Sequence, residues 1–184
     1  MKNTLLVLLL MVAGAMSLKS QNQPDGQKIL LTDSNDDTIL LDLDNAAGPM
    51  VFVVYGPGCG ICIKELNAIS KKVDAWQNLY QTTIIAFSRN YDRNYGRKIS
   101  RMQEKFGYPF PLFIDTSGEL AKYLGNCDGI NTKYFSSIEN YHLMIPQTVV
   151  LSKDGKVVFQ KYGYQSGDED KIEALLKELS GILP

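Results

Sequence analysis

Two cysteines in the sequence Cys59-Gly-Ile-Cys62 are the residues best suited to chemistry in this chain. Thiols three residues apart on a helix share one face and lie close enough to form a disulfide. The motif follows a continuous apolar run at residues 50–55 and the turn Gly56-Pro57-Gly58, which predicts a buried strand that ends where a helix begins. Unpaired backbone N–H groups at the first helical turn favour a thiolate. We therefore expect Cys59 to be a solvent-facing nucleophile and Cys62 to be a more buried resolving thiol.

The same cysteine spacing also forms half of a zinc site, so a metal is an alternative. The sequence contains three cysteines and one histidine, and a site of this kind would need Cys127 and His142 in addition to the motif. It would join the strand–helix junction to a distant loop. We therefore expect no metal, and no cofactor other than the redox-active disulfide Cys59–Cys62. Cys127 is then expected to be a lone thiol and His142 a polar loop residue.

The composition is that of an ordinary soluble globular protein. The chain has 184 residues, of which 45% are hydrophobic and 21% are charged, and these values are close to the averages for one folded domain. The 19 basic and 20 acidic residues give a formal net charge of −1. This balance excludes nucleic-acid binding by bulk electrostatics, so no nucleic-acid partner is expected.

The N-terminal segment has the pattern of a secretory signal peptide. Lys2 precedes a mostly apolar run over residues 4–15, which is too short to cross a bilayer as a mature helix. Small residues follow in the spacing that a signal peptidase accepts, and a buried N-terminal helix is the less favoured alternative. We expect residues 1–20 to be a signal peptide that is cleaved between residues 15 and 20, and residues 21–184 to form a single domain. The mature protein would be soluble in the periplasm or another extracytoplasmic space, where the compartment is oxidising.

Predicted strands and helices alternate along the rest of the chain. The strands are predicted at residues 29–32, 38–41, 50–55, 82–88, 110–114, 148–151 and 157–162. The helices are predicted at residues 59–78, 91–106, 117–124 and 168–179. The sequence Lys153-Asp-Gly-Lys156 between the last two strands is a strong hairpin signal. This order indicates an α/β domain with an N-terminal hairpin and a mixed central sheet that has helices on both faces.

Four features of the chain occur in a characteristic order. They are the strand leading into Cys59-Gly-Ile-Cys62, the acid Glu65 three residues later, the segment from Phe87 to Asp115, and Ile145-Pro146-Gln-Thr followed by Asp154-Gly155. Together they resemble the thioredoxin-like superfamily, in particular its exported TlpA/ResA type. The resemblance spans residues 29–179 and implies a thioredoxin-like fold with a cis-proline loop that faces the cysteine motif.

The resemblance also implies roles for individual residues. Glu65 matches the buried acid of the ResA group, and we expect it to tune the ionisation of the two thiols; an ordinary exposed helix residue is the alternative. Ile145 and Pro146 match the cis-proline loop and are expected to present their backbone to a substrate strand. Pro146 would also suit the start of an edge strand, where proline is tolerated.

The sequence departs from the family pattern at several places. Gly58 stands where an aromatic residue usually precedes the first cysteine, and Gly-Ile replaces a dipeptide that contains proline. Val53 stands where classical thioredoxins carry a buried aspartate. Residues 126–144 form an insertion before the cis-proline loop. We expect this insertion to form one wall of the substrate groove, with Tyr141 as a substrate-binding residue, although a remote, self-packed flap is the competing interpretation.

The leading functional hypothesis is an exported thiol–disulfide oxidoreductase that reduces protein disulfides. Isoleucine before the proline is what reducing thioredoxins carry, so the expected partners are disulfide-containing exported proteins and a membrane electron donor. The alternative is a Sco-like copper-binding protein of the same fold, in which His142 would join the two cysteines. Sco-type motifs, however, have three residues between the cysteines. Peroxiredoxin activity is disfavoured because no Thr-x-x-Cys sequence precedes the helix.

Overall fold

The computed structural model describes residues 28–33, 35, 37–89, 94–131 and 145–181. The predicted signal peptide, residues 1–20, lies outside this part of the chain. The strands are β1 (Lys28–Thr32), β2 (Thr38–Asp42), β3 (Met50–Val54), β4 (Thr83–Arg89), β5 (Leu112–Asp115), β6 (Gln147–Leu151) and β7 (Val157–Tyr162). The helices are α1 (Gly60–Ser70), α2 (Val73–Tyr80), α3 (Tyr95–Phe106), α4 (Glu119–Asn126) and α5 (Asp168–Leu179). None of these described helices is long and apolar enough to span a membrane.

A mixed sheet forms the centre of the domain. Across the described ranges its strand order is β2-β1-β5-β4-β3-β6-β7. The strands β3, β4 and β5 are parallel, whereas β1, β2, β6 and β7 pair antiparallel with their neighbours. The expected N-terminal hairpin and mixed sheet are confirmed, and the ends of most elements differ from the prediction by only a few residues.

The strand β3 lies at the centre of the sheet because its apolar sequence allows burial on both faces. All five of its residues are buried. Val51 and Val53 belong to a core that α1, α2, α3 and α5 cover, whereas Phe52 and Val54 belong to a core on the opposite face that α4 covers. The expectation of helices on both faces is therefore confirmed.

One continuous helix was expected after the cysteine motif, but the structure divides it into α1 and α2. At the junction the Ser70 hydroxyl donates to the carbonyl of Asn67 at 2.9 Å. The backbone N–H groups of Lys71 and Lys72 donate to carbonyls three residues earlier, at 3.3 and 2.8 Å. These shorter-range bonds end the α-helical pattern. The apolar spacing nevertheless continues through the junction, and Trp76 on α2 remains fully buried.

Candidate active site

The cysteine motif lies at the end of β3, where the chain enters α1. Cys59 is the N-cap residue of α1, and its backbone N–H donates to the carbonyl of Gly56 at 3.1 Å. Cys59 and Cys62 form a disulfide with their Cα atoms 5.2 Å apart, within the usual range for such a bond. Cys62 is fully buried, whereas Cys59 is partly exposed. The structure thus places the two predicted site cysteines together, with Cys59 on the accessible side.

The helix N-terminus acts directly on the sulfur of Cys59. The backbone N–H of Cys62 donates to Cys59 Sγ at 3.2 Å. Four N–H groups at a helix N-terminus lack intrahelical partners, and they favour a negative charge at this end. After reduction the same contact would stabilise a thiolate at Cys59.

Gly58 precedes the first cysteine with a backbone φ of 89°. This left-handed conformation is costly for a residue with a side chain but not for glycine. An aromatic residue at this position would therefore be strained in the loop as it stands.

The loop before β6 lies against the cysteine motif. The Ile145–Pro146 peptide bond is cis. A Cβ atom added to Gly56 would lie 2.5 Å from Ile145 Cδ1 and 4.0 Å from Cys59 Cβ. Only a glycine at position 56 allows Ile145 to approach so closely. The structure therefore brings Ile145 and Pro146 beside the cysteines, and their role in substrate binding stays a prediction.

Tyr95 is a neighbour of the site that the sequence analysis missed. Its hydroxyl lies 3.7 Å from the position that a Gly56 Cβ would occupy. Tyr95 is the first residue of α3, which follows β4 in the chain. Because β4 runs parallel to β3, the carboxyl ends of both strands meet at the same edge of the sheet, where sites of open α/β sheets are commonly found. The order of strands and helices in the sequence could therefore have indicated that Tyr95, at the start of the helix after β4, lies near the site.

Glu65 lies one turn beyond Cys62 on α1 and is buried, with 3% of its surface exposed. The hydroxyl of Thr148 on β6 donates to Glu65 Oε1 at 2.6 Å. The other carboxyl oxygen, Oε2, has no hydrogen-bond partner among the described residues. Burial raises the pKa of Glu65 from 4.5 to about 7, although the Thr148 hydrogen bond acts in the opposite direction. The carboxyl group thus changes its charge near neutral pH, one helical turn along α1 from Cys62.

The remaining candidate residues divide into two groups. Tyr141 and His142 lie outside the described residues, as does the insertion beyond residue 131. Cys127 is buried in the core on the opposite face of the sheet from Cys62, and its sulfur donates to the carbonyl of Tyr123 at 3.4 Å. Burial raises the pKa of the Cys127 thiol to about 11. Within the described ranges no three His, Cys, Asp or Glu side chains are grouped to hold a metal ion.

The fold of this chain occurs in solved structures of other proteins. Solved structures with the same fold include StoA from Bacillus subtilis (17% identity, 81% of this chain and 97% of that chain, TM-score 0.57). A thiol:disulfide interchange protein of the thioredoxin family from Chlorobium tepidum TLS has 14% identity, covering 86% and 99%, with a TM-score of 0.61. The pneumococcal exposed lipoprotein thioredoxin from Streptococcus pneumoniae has 17% identity, covering 83% and 99%, with a TM-score of 0.58.

These structural similarities confirm that the chain has a thioredoxin-like fold. Among curated proteins none matches the sequence. The model of the Redoxin family matches residues 19–176, which is well over half of the chain. The protein therefore belongs to the Redoxin family. Its two motif cysteines form a disulfide, which is the reactive group that a thiol–disulfide oxidoreductase requires.

The close approach of Ile145 to Gly56 generates a first prediction. We expect Gly56→Ala to lower the free energy of unfolding by roughly 0.5–1.5 kcal/mol, because the added methyl group overlaps Ile145 Cδ1 and the Ile145 side chain must turn away from its preferred conformation. Urea unfolding of the oxidised protein measures this change. Gly96→Ala is the control for removing a glycine, since a Cβ at Gly96 would contact nothing within 4 Å; we expect it to be neutral or stabilising, because Gly96 lies in the first turn of α3 and alanine favours a helix. Equal stability of the two variants would contradict the proposed overlap.

The titration of Glu65 generates a second prediction. The folded protein holds the proton of Glu65 more tightly than the unfolded chain does, because the pKa rises from 4.5 to about 7 on folding. We therefore expect the free energy of unfolding to be highest below about pH 4.5 as far as Glu65 is concerned, and to decrease as the pH rises through about 7. The decrease attributable to Glu65 is at most about 3 kcal/mol.

Urea unfolding of oxidised protein at about pH 5 and about pH 8 measures this dependence. The control is Glu65→Gln, which keeps the size of the side chain and cannot ionise. We expect the variant to lose much less stability than the wild type between the two pH values. Parallel changes in wild type and variant would show that the pKa of Glu65 does not differ between the folded and unfolded states.

Proposed function

We propose that this protein is an exported thiol–disulfide oxidoreductase that reduces disulfides in other exported proteins. The observation that carries the proposal is the unequal exposure of the two sulfurs in the motif. Cys59 caps the helix on the accessible side, whereas Cys62 is fully buried behind it. The similarity to proteins described as a thiol:disulfide interchange protein and an exposed lipoprotein thioredoxin supports the same chemistry. The signal-peptide pattern of residues 1–20 supports export.

The proposed reaction is a pair of thiol–disulfide exchanges. The Cys59 thiolate attacks one sulfur of a substrate disulfide, so that a mixed disulfide forms and the other substrate sulfur leaves as a thiolate. The Cys62 thiol then loses its proton and attacks Cys59 Sγ. The second substrate sulfur leaves, and both substrate thiolates take up protons. Two electrons pass to the substrate, and the Cys59–Cys62 disulfide remains.

The surroundings of the motif suit a polypeptide substrate. The Ile145–Pro146 loop ends directly at β6, and Ile145 packs against the backbone beside Cys59. An extended substrate segment is proposed to form backbone hydrogen bonds with this loop, since strand-like pairing is a common mode of peptide recognition. The hydroxyl of Tyr95 lies on the same side of Gly56. Ile145, Pro146 and Tyr95 are therefore proposed to contact the substrate, together with Tyr141 from the insertion.

A reductant needs a source of electrons in an oxidising compartment. Each turnover leaves the Cys59–Cys62 disulfide, and two electrons must restore the dithiol before the next one. The proposed source is a membrane electron donor, because the glutathione and thioredoxin pools that keep thiols reduced act in the cytosol. Disulfide-containing exported proteins are the proposed substrates.

The unequal exposure of the cysteines generates a third prediction. In the reduced protein we expect iodoacetamide to alkylate Cys59 well below pH 8, because the helix N-terminus stabilises its thiolate, whereas burial protects Cys62. Peptide mass spectrometry after timed labelling measures both rates. The experiment uses a Cys127→Ala background, so that only the two motif thiols are present. Faster labelling of Cys62 would reverse the proposed roles.

The same background tests catalysis. We expect Cys59→Ser to abolish the reduction of insulin disulfides, and Cys62→Ser to accumulate mixed disulfides because the resolving thiol is missing. Titration of the reduced wild type with Cu(I) is the parallel measurement for the copper-binding alternative. Tight, stoichiometric copper binding without insulin reduction would favour that alternative.

The direction of electron flow generates a fourth prediction. We expect the reduction potential of the Cys59–Cys62 pair to lie nearer to that of thioredoxin, about −270 mV, than to that of the oxidant DsbA, about −120 mV. Equilibration with defined mixtures of reduced and oxidised glutathione or dithiothreitol measures it. A potential close to the DsbA value would identify the protein as an oxidant of exported thiols.

A further inference from the structure

A polar cluster lies beside Glu65, between the β6–β7 hairpin and the start of α5. Thr148 on β6, which donates to Glu65, is directly opposite Lys161 on β7 in the antiparallel register. Side chains of directly opposed residues point to the same face of a sheet. Lys161 therefore lies on the Glu65 side of the sheet, although it has no catalytic role in the reaction proposed above.

Lys161 forms an ion pair with Asp168, the first residue of α5. Only 3% of the surface of Asp168 is exposed. Its carboxylate also accepts hydrogen bonds from the backbone N–H of Gln165 at 2.8 Å and from Lys171 Nζ at 3.0 Å. Burial opposes ionisation of Asp168, but the bonds from Lys161 and Gln165 outweigh it and hold the pKa of Asp168 below its usual 3.8. Asp168 therefore carries a negative charge at neutral pH.

The two members of this pair act on Glu65 in opposite directions. The negative charge of Asp168 raises the pKa of Glu65, and the positive charge of Lys161 lowers it. Glu169 on α5 raises it as well, and the hydroxyl of Tyr164 donates to Glu169 at 3.0 Å. From β6, the neutral Thr148 contacts Glu65. Among the described residues, Asp168, Lys161 and Glu169 are the charged groups that act on Glu65, and each has a smaller effect than burial and the Thr148 hydrogen bond.

We propose that the charges of Lys161 and Asp168 act on Glu65 with opposite signs and nearly cancel, so that the intact ion pair leaves the ionisation of Glu65 to burial and to Thr148, whereas loss of either charge shifts the pH at which the Cys62 thiol becomes reactive. The second half of this statement rests on the proposed thiol–disulfide function, because an ionised Glu65 disfavours a thiolate at Cys62. Lys161 and Asp168 are positioning residues that act through Glu65. They join β7 to α5, so that the position of α5 against the sheet also determines the field at Glu65.

The alternative is that the ion pair only holds α5 against the sheet. The two interpretations predict different directions for the shift of the Glu65 titration midpoint in the single variants. We expect Lys161→Gln to move the midpoint of the Glu65 titration to higher pH and Asp168→Asn to move it to lower pH, each by on the order of one pH unit. The double variant Lys161→Gln/Asp168→Asn should return the midpoint close to that of the wild type. A purely structural pair would shift both single variants in the same direction or in neither.

The measurement is the carboxyl carbon resonance of Glu65 in the oxidised protein labelled with ¹³C-glutamate, assigned by its absence in Glu65→Gln. It requires no catalysis and no free thiol. Lys72→Gln is the matched control, because Lys72 pairs with Asp170 and Glu173 of the same helix and is not among the groups that act on Glu65. We expect this control to leave the midpoint unchanged. Shifts of equal sign in the two single variants would overturn the proposal.

A second measurement follows the thiols of the reduced protein by their ultraviolet absorbance as they ionise. We expect the ionisation of Cys62 to shift in Lys161→Gln and Asp168→Asn, in opposite directions, and not in the same variants made in a Glu65→Gln background. Persistence of the shifts without Glu65 would contradict its role as the intermediary. If insulin reduction fails while the Glu65 midpoints still move in opposite directions, the proposed function is wrong and the action of the pair on Glu65 stands.

Discussion

The antiparallel pairing of β3 with β6 is the constraint on which the site depends. It places Val54, which leads into the cysteine motif, opposite Gln147, which follows the Ile145–Pro146 bond. The close approach of Ile145 to Gly56 is a continuation of that pairing beyond the ends of the strands. A slip by one residue would turn the side chains of β6 to the other face and separate the cis-proline loop from the cysteines.

The same pairing explains how a carboxyl group comes to be buried near the sulfurs without an aspartate on β3. Val53 occupies the position of that aspartate, and Thr148 lies directly opposite Val53 in the register. The Thr148 hydroxyl donates a hydrogen bond to the side chain of Glu65, which comes from α1. The acid is thus supplied by α1 and held by β6, so its environment depends on the contact between the helix layer and the sheet. The environment of an acidic residue located on the strand itself would depend less on the contact between the helix layer and the sheet.

Sequence patterns predicted correctly those elements whose structure depends on interactions between residues close together in the chain. The apolar run of β3 and the hairpin between β6 and β7 followed from the sequence, since burial and turn chemistry operate over a few residues. The end of α1 did not, because shorter-range hydrogen bonds from Ser70, Lys71 and Lys72 mark it and the apolar period continued unchanged. Tyr95 and the Lys161–Asp168 pair were missed for another reason: strand order and register bring Tyr95 to Gly56 and place Lys161 opposite Thr148, and no single segment encodes either arrangement.

The sheet also separates the thiols of this chain into two compartments. Cys127 lies in the core on the face opposite Cys62, and burial raises the pKa of its thiol to about 11, so that the thiol stays protonated at neutral pH. Disulfide exchange requires both a thiolate and access to the attacked sulfur. A mixed disulfide at Cys59 is therefore open to Cys62 alone within the folded chain. An odd number of cysteines can persist in this fold without scrambling, for as long as the sheet stays intact.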